Sequence, residues 1–286
     1  MSMAPLLQRL FSLFGAHSWI GGDDIIVRRY APRPPNWPQD LKLRIAMLSD
    51  FHFSEPWIGL QALDGIVEKT NALEPDIILL VGDFDDGPHF SRPVPRDDWA
   101  RGLARLKASL GVHAVLGNHD YPRLIEKRHR FLTEPGAKAA LEKVGIPVHI
   151  NDAIPLIWNG KNFWLAGLGD QCTEFEDGTP LADLDGTLGK VTDDGPIILM
   201  AHEPDIFPKV PNRVALTLSG HVHRGQIRFF GFAPVVPSRY GRRYLHGHIV
   251  ENTRHLIVGA GLGHSGLPLR FDAAPEILLI ELGGQA

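Results

Sequence analysis

The chain has 286 residues, 44% of them hydrophobic and 22% charged, with a net charge of -4 and an isoelectric point near 6.4. Such a balance belongs to a globular chain able to bury a large core, and it lacks the basic footprint of a general nucleic-acid binder. One cysteine, Cys172, excludes an intrachain disulfide and a thiolate-rich zinc site and reads as a small half-buried apolar residue, whereas fourteen histidines are an excess that needs a destination.

Residues 5–14 carry apolar side chains at helical spacing, with Gly15 as a stop. The run is too short to span a bilayer, and neither a charged region nor a twin arginine precedes it as in a cleavable signal. It reads as an amphipathic helix that docks either on the protein's own surface or on a membrane, with Arg9 its one basic residue. The expected location is cytoplasmic, with residues 5–14 as the peripheral membrane contact. Pro32, Pro34, Pro35 and Pro38 mark an extended connector, so residues 1–40 are read as helix and connector ahead of one domain over 41–286.

From residue 41 the pattern is regular. Residues 43–48 form a predicted strand, 60–73 an amphipathic helix with Leu63, Ile66, Val67 and Thr70 on one face, and 77–81 a second apolar strand. Short apolar strands alternating with helices are the signature of a sheet covered on both faces. Helices are expected over 98–110 and 134–144, and strands over 112–116, 148–150, 197–200 and 214–218. Residues 154–158 and 163–166 read as a hairpin around Asn159-Gly160. The tail supplies strands at 249–250, 256–258 and 277–282 with no helix between them. The expected fold is therefore α/β, a four-layer α/β/β/α sandwich of two mixed sheets flanked by helices.

Polar motifs follow the carboxyl ends of five of these strands, where open α/β sheets gather their ligand sites. They are Asp50-Phe51-His52, Gly82-Asp83, Gly117-Asn118-His119-Asp120, Ala201-His202 and Gly220-His221-Val222-His223, in which Gly220 offers a turn. Seven donors, Asp50, His52, Asp83, Asn118, His202, His221 and His223, exceed the needs of one cation. They suit two, about 3.5–4 Å apart with a shared carboxylate. Nitrogen and oxygen donors without thiolate point to Mn, Fe, Zn or Co. Two such ions acidify a trapped water and clamp phosphoryl oxygens, which is the chemistry of phosphoester hydrolysis.

Asp-x-His, Gly-Asp-x-x-Asp through Asp86, Gly-Asn-His-Asp, a lone His202 and Gly-His-x-His stand in one order, and in that order the chain resembles the calcineurin-like metallophosphoesterases. The segment 261–270 with Pro275-Glu276-Ile277 is similar to their bacterial phosphodiesterase subgroup and to one type of UDP-2,3-diacylglucosamine hydrolase. The resemblance implies a metallophosphatase fold and two divalent ions, manganese favoured. Asp50, His52 and His223 would hold the first ion, Asp83 would bridge, and Asn118, His202 and His221 would hold the second. A metal-bridging hydroxide would attack in line while His119 assists the leaving group and Asp120 orients His119 and raises its pKa. The implied substrate is a small-molecule or lipid-linked phosphodiester or pyrophosphate. Val222 and Arg224 depart from the subgroup's pattern; Arg224 either reaches a substrate phosphate or points outward, and His264 is a second candidate substrate contact.

Two other activities fit the same sequence less well: a non-catalytic scaffold, which would show degraded ligands, and a nuclease, which would want a basic groove. Gly261-Leu262-Gly263-His264-Ser265-Gly266 satisfies a dinucleotide fingerprint but lacks the helix and the remaining length; its glycines read as room for close backbone passage. Asp85 and Asp86 read as residues that hydrogen-bond the ligands or cap the next segment of chain.

Overall fold

A computed structural model describes residues 16–17, 25–121, 124–125 and 135–284. The segment read as the N-terminal amphipathic helix lies outside the described residues. The first sheet has five strands in the order β1, β11, β2, β3, β4. Their spans are β1 Ile26–Tyr30, β2 Leu43–Leu48, β3 Ile77–Val81, β4 Val112–Val115 and β11 Glu276–Leu282. β2, β3 and β4 run parallel; β11 enters antiparallel to β2 and parallel to β1. The second sheet orders six strands as β9, β10, β8, β7, β6, β5. These are β5 Asp152–Trp158, β6 Lys161–Gly167, β7 Ile197–Met200, β8 Val214–Ser219, β9 Gly247–Glu251 and β10 Arg254–Val258. β6, β7, β8 and β10 are mutually parallel neighbours, with the hairpin strands β5 and β9 antiparallel at the two edges.

Alternation along each strand assigns side chains to layers. On β2, Ile45 and Met47 enter the core shared by both sheets with Leu79, Val81, Leu165, Met200, Leu218 and Ile280. Ala46 and Leu48 face the other way, onto helix α1 (Leu60–Asn71), α2 (Arg96–Leu103) and α3 (Gly136–Lys143) through Leu63, Ile66, Trp99, Leu103 and Leu141. Burial on both faces is why these strands read as unbroken apolar runs. The second sheet's outer face carries Trp164, Leu199, Val214 and Val258 against Phe207, Tyr244 and Leu188. Its cover is thin: the six-residue helix α4 (Leu184–Gly189), a 3-10 turn at Pro204–Lys209 and irregular segments. The fold is thus mixed α/β with two mixed sheets and few helices.

Several elements differ from the sequence-based expectation. β1 lies inside the stretch read as helix and connector. Its arginines hide it, and its partners sit about 250 residues away, with Arg28 Nε donating to Glu276 Oε2 at 2.8 Å. The helix expected over 98–110 stops at Leu103, because Asn71 of α1 takes over the next turn: its Oδ1 accepts from the N–H of Lys107 and its Nδ2 donates to the carbonyl of Arg105. Residues 148–150 form no strand; Val148 makes one isolated bridge to Ala114. Cys172 is exposed, not half-buried.

Candidate metal centre and its cleft

Three of the five polar motifs leave their strands through a sharp backbone reversal. Asp50, His52, Asp83, His221 and His223 all have left-handed φ, between 48° and 68°. Such conformations cost roughly 1–3 kcal/mol each in residues with a Cβ, and they concentrate at sites where geometry matters more than local stability. In Asp50-Phe51-His52-Phe53 the reversals send polar groups to the strand ends and both rings into the core. There Phe51 stacks on Phe53 and Phe84 at 5.0 and 5.3 Å, and Phe53 and Phe84 both stack on Trp99. This four-ring cluster anchors two of the loops to α2.

The glycines work by absence. Gly220 has no left-handed φ; the turn falls on His221 instead. A Cβ on Gly220 would stand 2.5 Å from Asp50 Oδ2, and one on Gly117 would stand 2.3 Å from Asp83 Oδ1 and 2.6 Å from His202 Nε2. Gly261 and Gly263 likewise pass against Asp50 and the Phe51 carbonyl. They make room for backbone, as their spacing suggested.

Two donor groups result, each with its ligand-capable atoms mutually within 4.8 Å: Asp50, His52, Asp83 and His223, then Asp83, His202 and His221. Asp83 belongs to both. His52 Nε2 and His223 Nε2 lie 3.1 Å apart, and Asp83 Oδ2 is 3.6 Å from His52 Nε2 and 3.0 Å from His202 Nε2. Asn118 borders the second group, its Oδ1 buried without a hydrogen-bond partner, and His202 Nε2 makes no well-aligned hydrogen bond despite its ion contact with Asp83. Under-satisfied acceptors of this kind, converging from different strands, fit divalent cations.

The groups behind the donors fix their tautomers. His202 Nδ1–H donates to the carbonyl of Val81 at 2.7 Å, and His52 Nδ1–H points at the carbonyls of Asp85 and Asp86 at 3.0 and 2.9 Å. Each Nε2 lone pair is thereby aimed at the centre. His223 Nδ1 lies 3.1 Å from Nη2 of Arg270, a fully buried guanidinium that also donates to the carbonyls of Gly263 and Ala273. Asp50 accepts from Ser49 Oγ and from the N–H of His221.

Burial opposes every charge here, yet the carboxylates win at His202. Although desolvation alone would depress it, the Asp83 carboxylate, 3.0 Å away, holds its pKa well above the ordinary histidine value. Asp83, also penalised by burial, is held well below the carboxylate range by His202 and His52. His223 goes the other way, pushed well down by burial, His52 and Arg270.

His119 lines the cleft over this centre, its ring 5.0 Å from that of His52. Its orienting carboxylate is not Asp120, as the sequence suggested, but Asp86, whose Oδ2 lies 2.7 Å from His119 Nδ1. Asp120 is buried and accepts from four backbone N–H groups, those of Asp83 and Gly117 at Oδ2 and of Phe84 and Asp85 at Oδ1. Burial and the charges of Asp83 and Asp85 push its carboxyl up to about 7, against those four donors, which favour the anion. It staples two ligand-bearing loops together.

The two candidate substrate contacts are not on the cleft wall. Arg224 is half-buried among Arg28, Arg228 and Glu276, and His264 is buried against Trp57 at 6.2 Å between rings. The wall is built instead from Gln226, Ile227, Pro234, Val235, Ser265 and Leu267, around a cleft of about 460 Å³. Sequence reasoning also missed the buried pair Asp170 and Glu203, which with Cys172 forms a third donor group behind His202. Burial, then the hydrogen bond to Asp170, raises the Glu203 carboxyl well above its usual range. Only its adjacency to His202 marked it in the sequence.

The chain is 32% identical over 245 residues to the metallophosphoesterase YkuE of Bacillus subtilis, covering 84% of this chain and 78% of that protein. It is 30% identical over 251 residues to the phosphodiesterase YaeI of Escherichia coli, covering 84% and 82%. A putative metallophosphoesterase of Caenorhabditis elegans, F40B5.2, is 32% identical over 250 residues, and there the chain spans 48% of the relative's length. Residues 43–225, which include all seven candidate donors, match the model of the calcineurin-like phosphoesterases, and the chain belongs to that family of metal-dependent phosphoester hydrolases.

Proposed function

We propose that the chain hydrolyses a phosphodiester or pyrophosphate bond with two divalent metal ions, whose two sets of donors would share Asp83. The observation that carries this reading is the membership of Asp83 in both donor groups. Asp50, His52 and His223 complete one site; Asn118, His202 and His221 complete the other. The donor set suits Mn, Fe, Zn or Co, with Mn favoured. When bound, such ions supply an acidified water and positive charge for the phosphoryl oxygens.

The chain's own residues do the rest. His119, held by Asp86, presents its free ring edge to the cleft, where it stabilises the developing charge and protonates the departing oxygen. Ile227, Val235 and Leu267 give the cleft an apolar side suited to the organic part of a small-molecule or lipid-linked ester. Residues 5–14, by their amphipathic sequence, are inferred to make a peripheral membrane contact.

The test is hydrolysis of a soluble aryl phosphodiester with Mn added, together with metal content per chain. Wild-type protein should bind two ions and turn over. Asn118→Ala should lower metal content, and His119→Ala should keep both ions while losing about 100-fold in kcat. Unchanged turnover in both variants would overturn the mechanism.

A further inference from the structure

The segment linking the two halves of the cleft wall exposes more apolar surface than the wall requires. Phe229 and Phe232 close a hairpin through reciprocal backbone hydrogen bonds of 2.9 Å, with Phe230 and Gly231 at its tip. Phe230 has a φ of 50° and Gly231 of 81°, the two left-handed residues of a type I′ turn, where Asn or Gly is the usual first choice. A phenylalanine there is strained, and it is fully exposed, at 108%. Phe229 and Phe232 are half-exposed, and Val235 and Leu267 are exposed beside them. Across the cleft rim Phe90 repeats the pattern: left-handed, 101% exposed, and tied to the Leu267 loop by the hydrogen bond from His89 N–H to the Gly266 carbonyl. Gln226 joins both sides by donating to the carbonyls of Ser265 and Leu267 and accepting from the N–H of Ser265. The aromatic tips therefore stand on one hydrogen-bonded rim around the mouth of the cleft.

We propose that this rim is a docking surface for an anionic phospholipid bilayer, into which the Phe230 and Phe90 tips insert. Two observations select a bilayer over another macromolecule. First, the apolar groups project from separate convex tips, which suits entry into a fluid apolar phase; a contiguous patch or groove would suit a protein partner. Second, the charge is complementary: residues 228–243 contain four arginines and no acidic residue, in a chain of net charge -4. Arg228, Arg239 and Arg243 are paired with Asp272, Asp205 and Glu251. Arg242 lies over the Phe232 ring at 4.5 Å, exposed, and no carboxylate pairs with it among the described residues. That places a cation at headgroup level directly behind an inserting ring. Ala16 pairs with Phe271, whose ring packs against Phe229 at 5.4 Å.

This inference rests on the proposed function only for the meaning of the cleft, and its test is separate. The full chain is sedimented with vesicles of phosphatidylcholine alone and of phosphatidylcholine with phosphatidylglycerol, and soluble aryl phosphodiesterase activity is measured in parallel. Wild-type protein should partition onto the anionic vesicles. Phe230→Ser with Phe232→Ser should lower partitioning at least about tenfold, Arg242→Gln should remove the preference for the anionic lipid, and Phe230→Trp should preserve binding, all with soluble activity within about twofold. Absence of wild-type binding, or double-variant binding equal to wild type, overturns the proposal. So does a wild-type dimer that the double variant abolishes without any vesicle binding, because the rim would then be a contact between copies. Loss of soluble turnover in wild type would instead strike the proposed function and leave this measurement readable.

Discussion

Asp86 Oδ2 meets His119 Nδ1 at 2.7 Å, while Asp120, the sequence neighbour of His119, turns inward to four backbone N–H groups. Two carboxylates near one imidazole thus have separable roles. Asp86→Asn should keep the fold and the metal content of the wild type, and lower kcat by about tenfold, most strongly for substrates with basic leaving groups. Asp120→Asn would aim an amide NH2 at backbone donors and should cost about 2–3 kcal/mol of stability and loosen metal binding. Urea unfolding and a leaving-group series on the two variants check the division.

Metal binding should release protons. The Asp83 carboxylate raises the pKa of His202, which favours its protonated form, and a cation that reaches Nε2 must displace that proton. Affinity should therefore rise with pH until His202 is neutral without help, and fall as pH drops. Calorimetric titration in buffers of different ionisation enthalpy reads the number of protons directly; no buffer dependence would contradict the Asp83 and His202 pairing.

Substitution of Gly220 tests the close approach. An added Cβ would stand 2.5 Å from Asp50 Oδ2 and 2.8 Å from Ser49 Oγ, with no φ strain involved. Gly220→Ala should displace Asp50 and lower kcat/KM at least about 100-fold. Gly189→Ala, where nothing lies within 4 Å, should be silent. Metal content and turnover of the two variants provide the comparison.

A histidine pair remote from the donors should set part of the acid sensitivity. His113 Nδ1 and His149 Nε2 lie 3.0 Å apart, both buried. Burial lowers both pKa values, that of His149 to about 4 with the charge of His113 adding to it. The folded state thus resists protons that the unfolded chain accepts near pH 6.5. The pair's contribution is complete above about pH 6.5 and declines as pH falls toward 4, by on the order of 3 kcal/mol for His149. Unfolding of chelator-treated protein at pH 7 and pH 5 should show a steeper loss in wild type than in His149→Gln.

The organisation of the centre was legible because each donor follows an apolar run, and both faces of such runs are buried. Asp50, Asp83, Asn118, His202 and His221 fall at strand ends that parallel pairing must bring side by side. β1 was not legible: its arginines carry no strand pattern, and its place comes from β11 and from Glu276. The end of α2 was set by Asn71 from another helix, which no local propensity contains.

What the sequence determined by itself was the set of donor types, their order and the layered α/β class, since these follow from local period and from residue chemistry. Tertiary structure alone decided that Asp86 serves His119, that Asp120 staples backbone, that Arg270 backs His223 and that Arg224 and His264 leave the cleft wall to Ile227, Val235 and Leu267. The physical reason is directional. A motif gives the position of a Cα along the chain, but the left-handed turns at Asp50, Asp83, His221 and Arg224 determine where each side chain points. Those turns are held by hydrogen bonds and packing from residues far away in sequence.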